Sequence, residues 1–161
     1  MAEMFGSETG VRLAPRRNVL CTALFLCMAV FAFRQWVLWP VVISGESMAP
    51  NYRDGQPNYI NKLAYLSHAP QRGDVVGVRV APNDYLIKRI IGTPGDRIEF
   101  YRGTVIVNGQ PLKEPYVQRP LIWWLDPVQL GPNEFFIMGD NRTYSTLGAI
   151  AKNDILGKAL F

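Results

Sequence analysis

From Val19 to Phe33 every residue except Thr22 is apolar, and after Arg34 and Gln35 the run resumes as Trp36-Val37-Leu38-Trp39 before Pro40. A stretch of this kind seeks lipid or the inside of a core. As a helix, Val19 to Trp39 is about 31 Å long, which matches a hydrocarbon core of roughly 30 Å. Arg34 stands near the distal end, where its stem snorkels to the headgroups, and Trp36 and Trp39 fall where an interfacial aromatic belt is expected. Arg12, Arg16 and Arg17 precede the run, placing the N-terminus in the cytoplasm by the positive-inside tendency. The expected organisation is a cytoplasmic tail over residues 1–17, a transmembrane anchor helix over 18–40 and an extracytoplasmic domain over 41–161. A cleaved signal peptide has similar leading regions, but no A-x-A-like site follows this run. A buried core helix fits the length and flanks less well.

Charged residues are 19% of the 161-residue chain, below the roughly 25% usual for soluble proteins. The anchor accounts for most of that deficit. An aromatic content of 12% and a net charge of +4 exclude disorder, and the same charge is too small and scattered for a nucleic-acid partner. His68, Cys21 and Cys27 are the only histidine and cysteine residues, whereas a structural zinc site needs about four such ligands. Cys21 and Cys27 lie about 240° apart around a helix and cannot pair with each other. Any histidine base would have to be His68.

Beyond Val41 no long helical periodicity appears. Short β-rich runs between turn signals replace it. Asp74–Val80, Asp84–Ile91, Arg97–Tyr101, Thr104–Val107 and Phe135–Met138 read as strands, and Ile155–Phe161 as the last. Thr93-Pro94-Gly95-Asp96 has Pro and Gly where a type II turn needs them, and Asn108-Gly109 marks a hairpin. The fold expected is mainly β, an antiparallel β-sheet domain carrying one N-terminal transmembrane helix.

Two residues stand out within this frame. In Asp84-Tyr85-Leu86-Ile87-Lys88-Arg89-Ile90-Ile91, alternation puts Lys88 on the face of Leu86 and Ile90. If that face is buried, desolvation lowers the amine pKa, and a neutral amine can act as a general base. The segment alone favours another reading, a protective lysine on an edge strand with Tyr85, Ile87 and Ile91 buried instead. Ser47 lies on the small-residue turn Ser44-Gly45-Glu46-Ser47-Met48-Ala49-Pro50 just past the anchor. A nucleophilic serine needs a base, and lysine is the plentiful candidate in a chain with one histidine. Taken alone, Ser47 is one more loop serine.

Taken together, Gly45-Glu46-Ser47-Met48-Ala49-Pro50 resembles the nucleophile box of type I signal peptidases, membrane-bound serine proteases that remove signal peptides from exported proteins. Arg72-Gly73-Asp74-Val75-Val76 looks like their next box, and Asp84 to Asp96 like the lysine box. Gly139-Asp140-Asn141-Arg142-Thr143-Tyr144-Ser145 is similar to the start of the last box, and Glu114-Pro115-Tyr116 fits the hairpin region. The resemblance implies Ser47 as nucleophile and Lys88 as general base, working through an acyl-enzyme without metal or cofactor. It further implies that Ser145 orients the lysine amine and that Asp140 pairs with Arg89. With Gly45 two residues before the nucleophile, the oxyanion would fall to backbone N–H groups, chiefly that of Ser47. Endoplasmic-reticulum relatives have histidine at the lysine position, so Lys88 points to the bacterial or organellar type. The partners implied are preprotein signal peptides and a lipid bilayer, most simply a bacterial plasma membrane.

The chain departs from the family pattern after Ser145. An Asp-Ser-Arg element that braces the catalytic region is absent, and Thr146-Leu147-Gly148-Ala149-Ile150 follows directly. Leu121-Ile122-Trp123-Trp124-Leu125 forms an apolar knot, readable as core or as a second lipid contact. Competing functions are a specialised pilin-processing or conjugative peptidase, a self-cleaving repressor, and a non-catalytic membrane-tethered binding domain. The anchor and the lack of a DNA-binding module argue against the repressor.

Overall fold

The computed structural model describes residues 16–118, 126–145 and 147–160; the apolar knot at 121–125 lies outside them. The chain divides into two compact units, Met1–Gln35 and Trp36–Phe161. Helix α1 (Arg16–Val37) is exposed from Asn18 to Trp36, and Asn18–Val37 is long and apolar enough to cross a membrane. Thr22, the one polar residue of its central run, returns its hydroxyl to the Asn18 carbonyl at 2.7 Å, which removes an unsatisfied donor. Arg34 lies in the last turn, where a cation complements the helix dipole.

The helix stops at Val37, short of the expected boundary at residue 40, and Leu38–Val42 is strand β1. Pro40 is the physical reason. A proline disfavours helical backbone at the residue before it and has no N–H to donate. Trp39 is thus extended within the β unit, and its ring meets Tyr85 edge-on at 4.9 Å. Pro40 is tolerated because β1 is an edge strand.

Among the described residues ten more strands follow: β2 (Pro57–Asn61), β3 (Val75–Ala81), β4 (Asp84–Gly92), β5 (Arg97–Tyr101), β6 (Thr104–Val107), β7 (Gln110–Pro111), β8 (Val128–Gln129), β9 (Glu134–Met138), β10 (Leu147–Ala151) and β11 (Ile155–Ala159). All pairings are antiparallel, in a seven-stranded sheet ordered β1-β2-β11-β3-β4-β9-β10 and a four-stranded sheet ordered β7-β6-β5-β8. The mainly-β expectation holds, and the six expected strands all form within one or two residues of their limits. The strands not anticipated are β1, β2, β7, β8 and β10, which are short or carry Pro, Asn or Gly.

Between the sheets, Ile91, Phe136 and Met138 of the large one pack on Ile98, Phe100, Val105 and Val107 of the small one. The chain crosses from one sheet to the other at Gly92. A β-carbon there would lie 2.7 Å from Ile98 and 2.8 Å from Leu130, so only glycine lets the layers close. The crossover turn is held by Asp96. Its carboxylate accepts from the Thr93 N–H and hydroxyl, from Arg72 at 2.8 Å and from the Asn108 amide at 2.7 Å. Burial pushes this carboxyl up, but those four donors together hold it below its ordinary value of 3.8. Replacing Asp96 with Asn should therefore cost about 1–3 kcal/mol in urea unfolding at neutral pH. A depressed carboxylate contributes stability above the unfolded-state pKa and loses it as pH falls through the native value. The gap between variant and wild type should close below about pH 4; an equal gap at every pH would exclude the charge as its cause.

Candidate active site

Ser47 sits in the turn between β1 and β2. Ile43 and Gln56 close that loop through an N–H to carbonyl bond of 2.9 Å. Gly45 adopts φ +87°, a left-handed backbone that glycine enters without strain. Its N–H donates to Asp54 at 2.8 Å, so Gly45 shapes the turn and its own donor is engaged. Met48, 1% exposed, anchors the next position in the cluster of Ile60, Val75 and Ala159. Ser47 is thereby carried on a turn pinned from beneath.

Lys88 comes from β4, which lies between β3 and β9 inside the large sheet. The edge-strand reading of the sequence is excluded by that position. Lys88 is 2% exposed, and its Nζ lies 2.5 Å from the Ser47 Oγ. Burial pushes the amine pKa below its ordinary 10.5, against the opposing pull of the Asp140 charge. A buried amine poised to be neutral, in hydrogen-bond reach of a serine hydroxyl, is the pairing that activates a nucleophile.

The loop after β9 closes the other side. The Asn141 N–H donates to the Ser47 carbonyl at 3.0 Å, and the Gly139 N–H donates to the Ser145 Oγ at 2.5 Å. A β-carbon at Gly139 would overlap the Ser47 carbonyl and crowd the Ser145 hydroxyl at 2.6 Å. Glycine is thus what allows Ser47 and Ser145 to approach the same point of backbone. Ser145 is buried.

Arg89 and Asp140, expected as a pair, are bidentate. Nε and Nη2 meet the two carboxylate oxygens at 2.7 and 2.6 Å, and Arg89 Nη1 donates to the Gly73 carbonyl at 2.8 Å. The pair ties the lysine strand to the turn before β3 and to the serine-contacting loop. Asn51, Tyr116, Glu114 and Arg142 join the same network without having been assigned roles from sequence. The Asn51 amide bridges Asp140 and the Tyr116 carbonyl, both at 2.9 Å. Tyr116 lies 4.1 Å beneath the Arg89 guanidinium. The only sequence signal for Glu114, Tyr116 and Arg142 was their place in motif-like stretches. His68 is elsewhere, on an exposed turn with Nδ1 3.1 Å from the Ala69 carbonyl.

An apolar cleft of about 400 Å³ opens at Ser47. The segment from Trp39 to Ile43 forms one wall and Tyr85 to Ile87 of β4 the other. Its volume and mainly apolar lining suit apolar groups placed beside the hydroxyl.

An antiparallel β domain presenting a serine hydroxyl to a buried lysine amine has the arrangement of a serine hydrolase. A family model described as "Signal peptidase, peptidase S26" matches residues 16–161. Signal peptidase IB of Staphylococcus aureus (strain Mu50) is 31% identical over 154 residues, covering 82% of this chain and 81% of that one. Signal peptidase I of Leptolyngbya laminosa is 31% identical over 131 residues, covering 73% of this chain and 64% of that one. A crystal structure of a signal peptidase I from Enterococcus faecalis V583 aligns with TM-score 0.46 and 24% identity, over 55% of this chain and 95% of that one. The chain belongs to the signal peptidase family, peptidase S26.

Proposed function

We infer that Ser47 and Lys88 are the nucleophile and general base with which this signal peptidase cleaves signal peptides from preproteins. The observation that carries the assignment is the 2.5 Å separation of Lys88 Nζ and Ser47 Oγ at a buried amine. The neutral amine takes the hydroxyl proton as Oγ attacks the scissile carbonyl, and the resulting ammonium protonates the leaving amine. Lys88, again neutral, then deprotonates the water that hydrolyses the ester. The Ser47 N–H is the assigned oxyanion donor, and Ser145 the group that orients the lysine. The cleft beside Ser47 receives the residues preceding the cleaved bond.

The domain division into a tail over 1–17, an anchor and an extracytoplasmic peptidase domain belongs to the same proposal. The apolar α1 supports the anchor, and the arginines before it support a cytoplasmic N-terminus. A bacterial plasma membrane is the simplest setting, with the bilayer as the second partner and no nucleic acid involved.

The test is incubation of the full-length, detergent-solubilised protein with a preprotein, reading a defined cleavage product. Ser47→Ala should lower the rate by on the order of 10⁴-fold or more while the thermal melt is retained. Because only the neutral amine is a base, the rate should climb with pH through the Lys88 pKa, which lies below 10.5. A rate falling across about pH 6–9 in folded protein contradicts the lysine assignment. No product at any pH from folded protein favours the binding-domain alternative.

A further inference from the structure

Arg142 is 2% exposed, on the loop that also supplies Gly139 and Asn141 to Ser47. Its guanidinium turns back on its own loop, with Nε donating to the Gly139 carbonyl at 3.1 Å. The two remaining nitrogens grip Glu114, Nη1 to Oε2 at 3.1 Å and Nη2 to Oε1 at 2.5 Å. A buried guanidinium with three acceptors holds its loop in one shape, and without Glu114 the charge would be uncompensated.

Glu114 also reaches the other half of the site. Its Oε1 accepts the Tyr116 hydroxyl at 2.9 Å, and the Tyr116 ring underlies Arg89 at 4.1 Å, one residue from Lys88. Asn51 adds a parallel tie from the Tyr116 carbonyl to Asp140. Two chains of contact therefore leave one carboxylate, through Arg142 and Gly139 to the nucleophile's loop, and through Tyr116 and Arg89 to the lysine's strand. Glu114 touches neither reacting atom.

We propose that Glu114, through Arg142 and Tyr116, is a positioning residue that sets the Ser47–Lys88 geometry. The proposal rests on the assignment of Ser47 and Lys88 as the reacting pair. A misplacement near 1 Å at such a pair costs about a hundredfold in rate.

The experiment compares the full-length wild type, Glu114→Gln and the double variant Glu114→Gln/Arg142→Met in detergent. Thermal midpoint, kcat, KM and the pH profile of cleavage of one preprotein are measured for each. Glu114→Gln should lower kcat about 10- to 100-fold with KM within about threefold, lower the midpoint, and move the pH at which the rate rises. The double variant removes the buried charge together with its partner, so its midpoint should recover toward wild type while kcat stays low. Recovery of kcat along with stability would reduce Glu114 to a structural role and overturn the proposal. So would an unchanged kcat in either variant. Tyr116→Phe, which keeps the ring under Arg89 and deletes one hydrogen bond, should lose about three- to tenfold in kcat; wild-type kcat there removes the lysine-side branch. A wild type that cleaves no preprotein defeats the peptidase assignment itself, an outcome distinct from all of these.

Discussion

Lys88→Met should abolish preprotein cleavage and at the same time raise the thermal midpoint. Methionine has a similar length and no charge, so it fills the space between β3 and β9 without the need to keep an amine neutral inside the sheet. Wild-type folding takes a lysine of ordinary pKa 10.5 and lowers it by burial. Between the native and unfolded pKa values the unfolded chain binds more protons, so wild-type stability rises with pH across that window. Below the native pKa the full cost is present. The stability advantage of the methionine variant should accordingly be largest at low pH and shrink as pH approaches 10.5. Activity should fall by on the order of 10⁴-fold or more, the scale on which loss of a base disables a serine nucleophile. Thermal melts from about pH 6 to 10 and a preprotein assay check both halves. A stability difference that does not change with pH would mean that folding leaves the Lys88 pKa unlowered, and would count against it as a base.

Asp140→Asn should cost about 3–5 kcal/mol in denaturant unfolding, the scale for stripping one partner from a buried ion pair. The aspartate side chain is 0% exposed and the Arg89 side chain 13%. Asparagine keeps the shape but removes the charge that balances a guanidinium stacked on Tyr116. The loss is not confined to stability. Arg89 is the residue after Lys88 in β4, and Asn141, the residue after Asp140, donates its N–H to the Ser47 carbonyl, so cleavage per folded molecule should fall at least tenfold as well. Unfolding titrations together with activity normalised to folded protein test the pair. A cost below about 1 kcal/mol would place the interaction in the class of solvent-screened surface bridges.

The sequence determined a good deal unaided. The apolar run specified an exposed helix, because its length and composition are local properties. Turn chemistry specified a hairpin: Asn108-Gly109 carries two positive φ angles, as a type I′ turn requires. Ordered motifs pointed to Ser47, Lys88, Ser145, Asp140 and Arg89. By contrast, β1, β2 and β10 were illegible, since Pro40, Asn58 and Gly148 oppose strand propensity and only neighbouring strands override them. The end of the helix was legible in principle from Pro40 but was masked by the continuing apolar residues Leu38 and Trp39.

Only the tertiary structure decided what Lys88 is. Its local sequence favours a solvent-facing edge, because alternation reports two faces without saying which is covered and a lysine is ordinarily found in water. Sheet order, with β4 between β3 and β9, is a long-range outcome that places the amine out of water and beside a serine 41 residues earlier. The same holds for Glu114 and Arg142, 28 residues apart and each unremarked in isolation. A charge read from sequence has no environment. Folding supplies one, and burial beside a particular partner is what suits a common lysine to the role of base proposed for Lys88 and a buried ion pair to the positioning role proposed for Glu114.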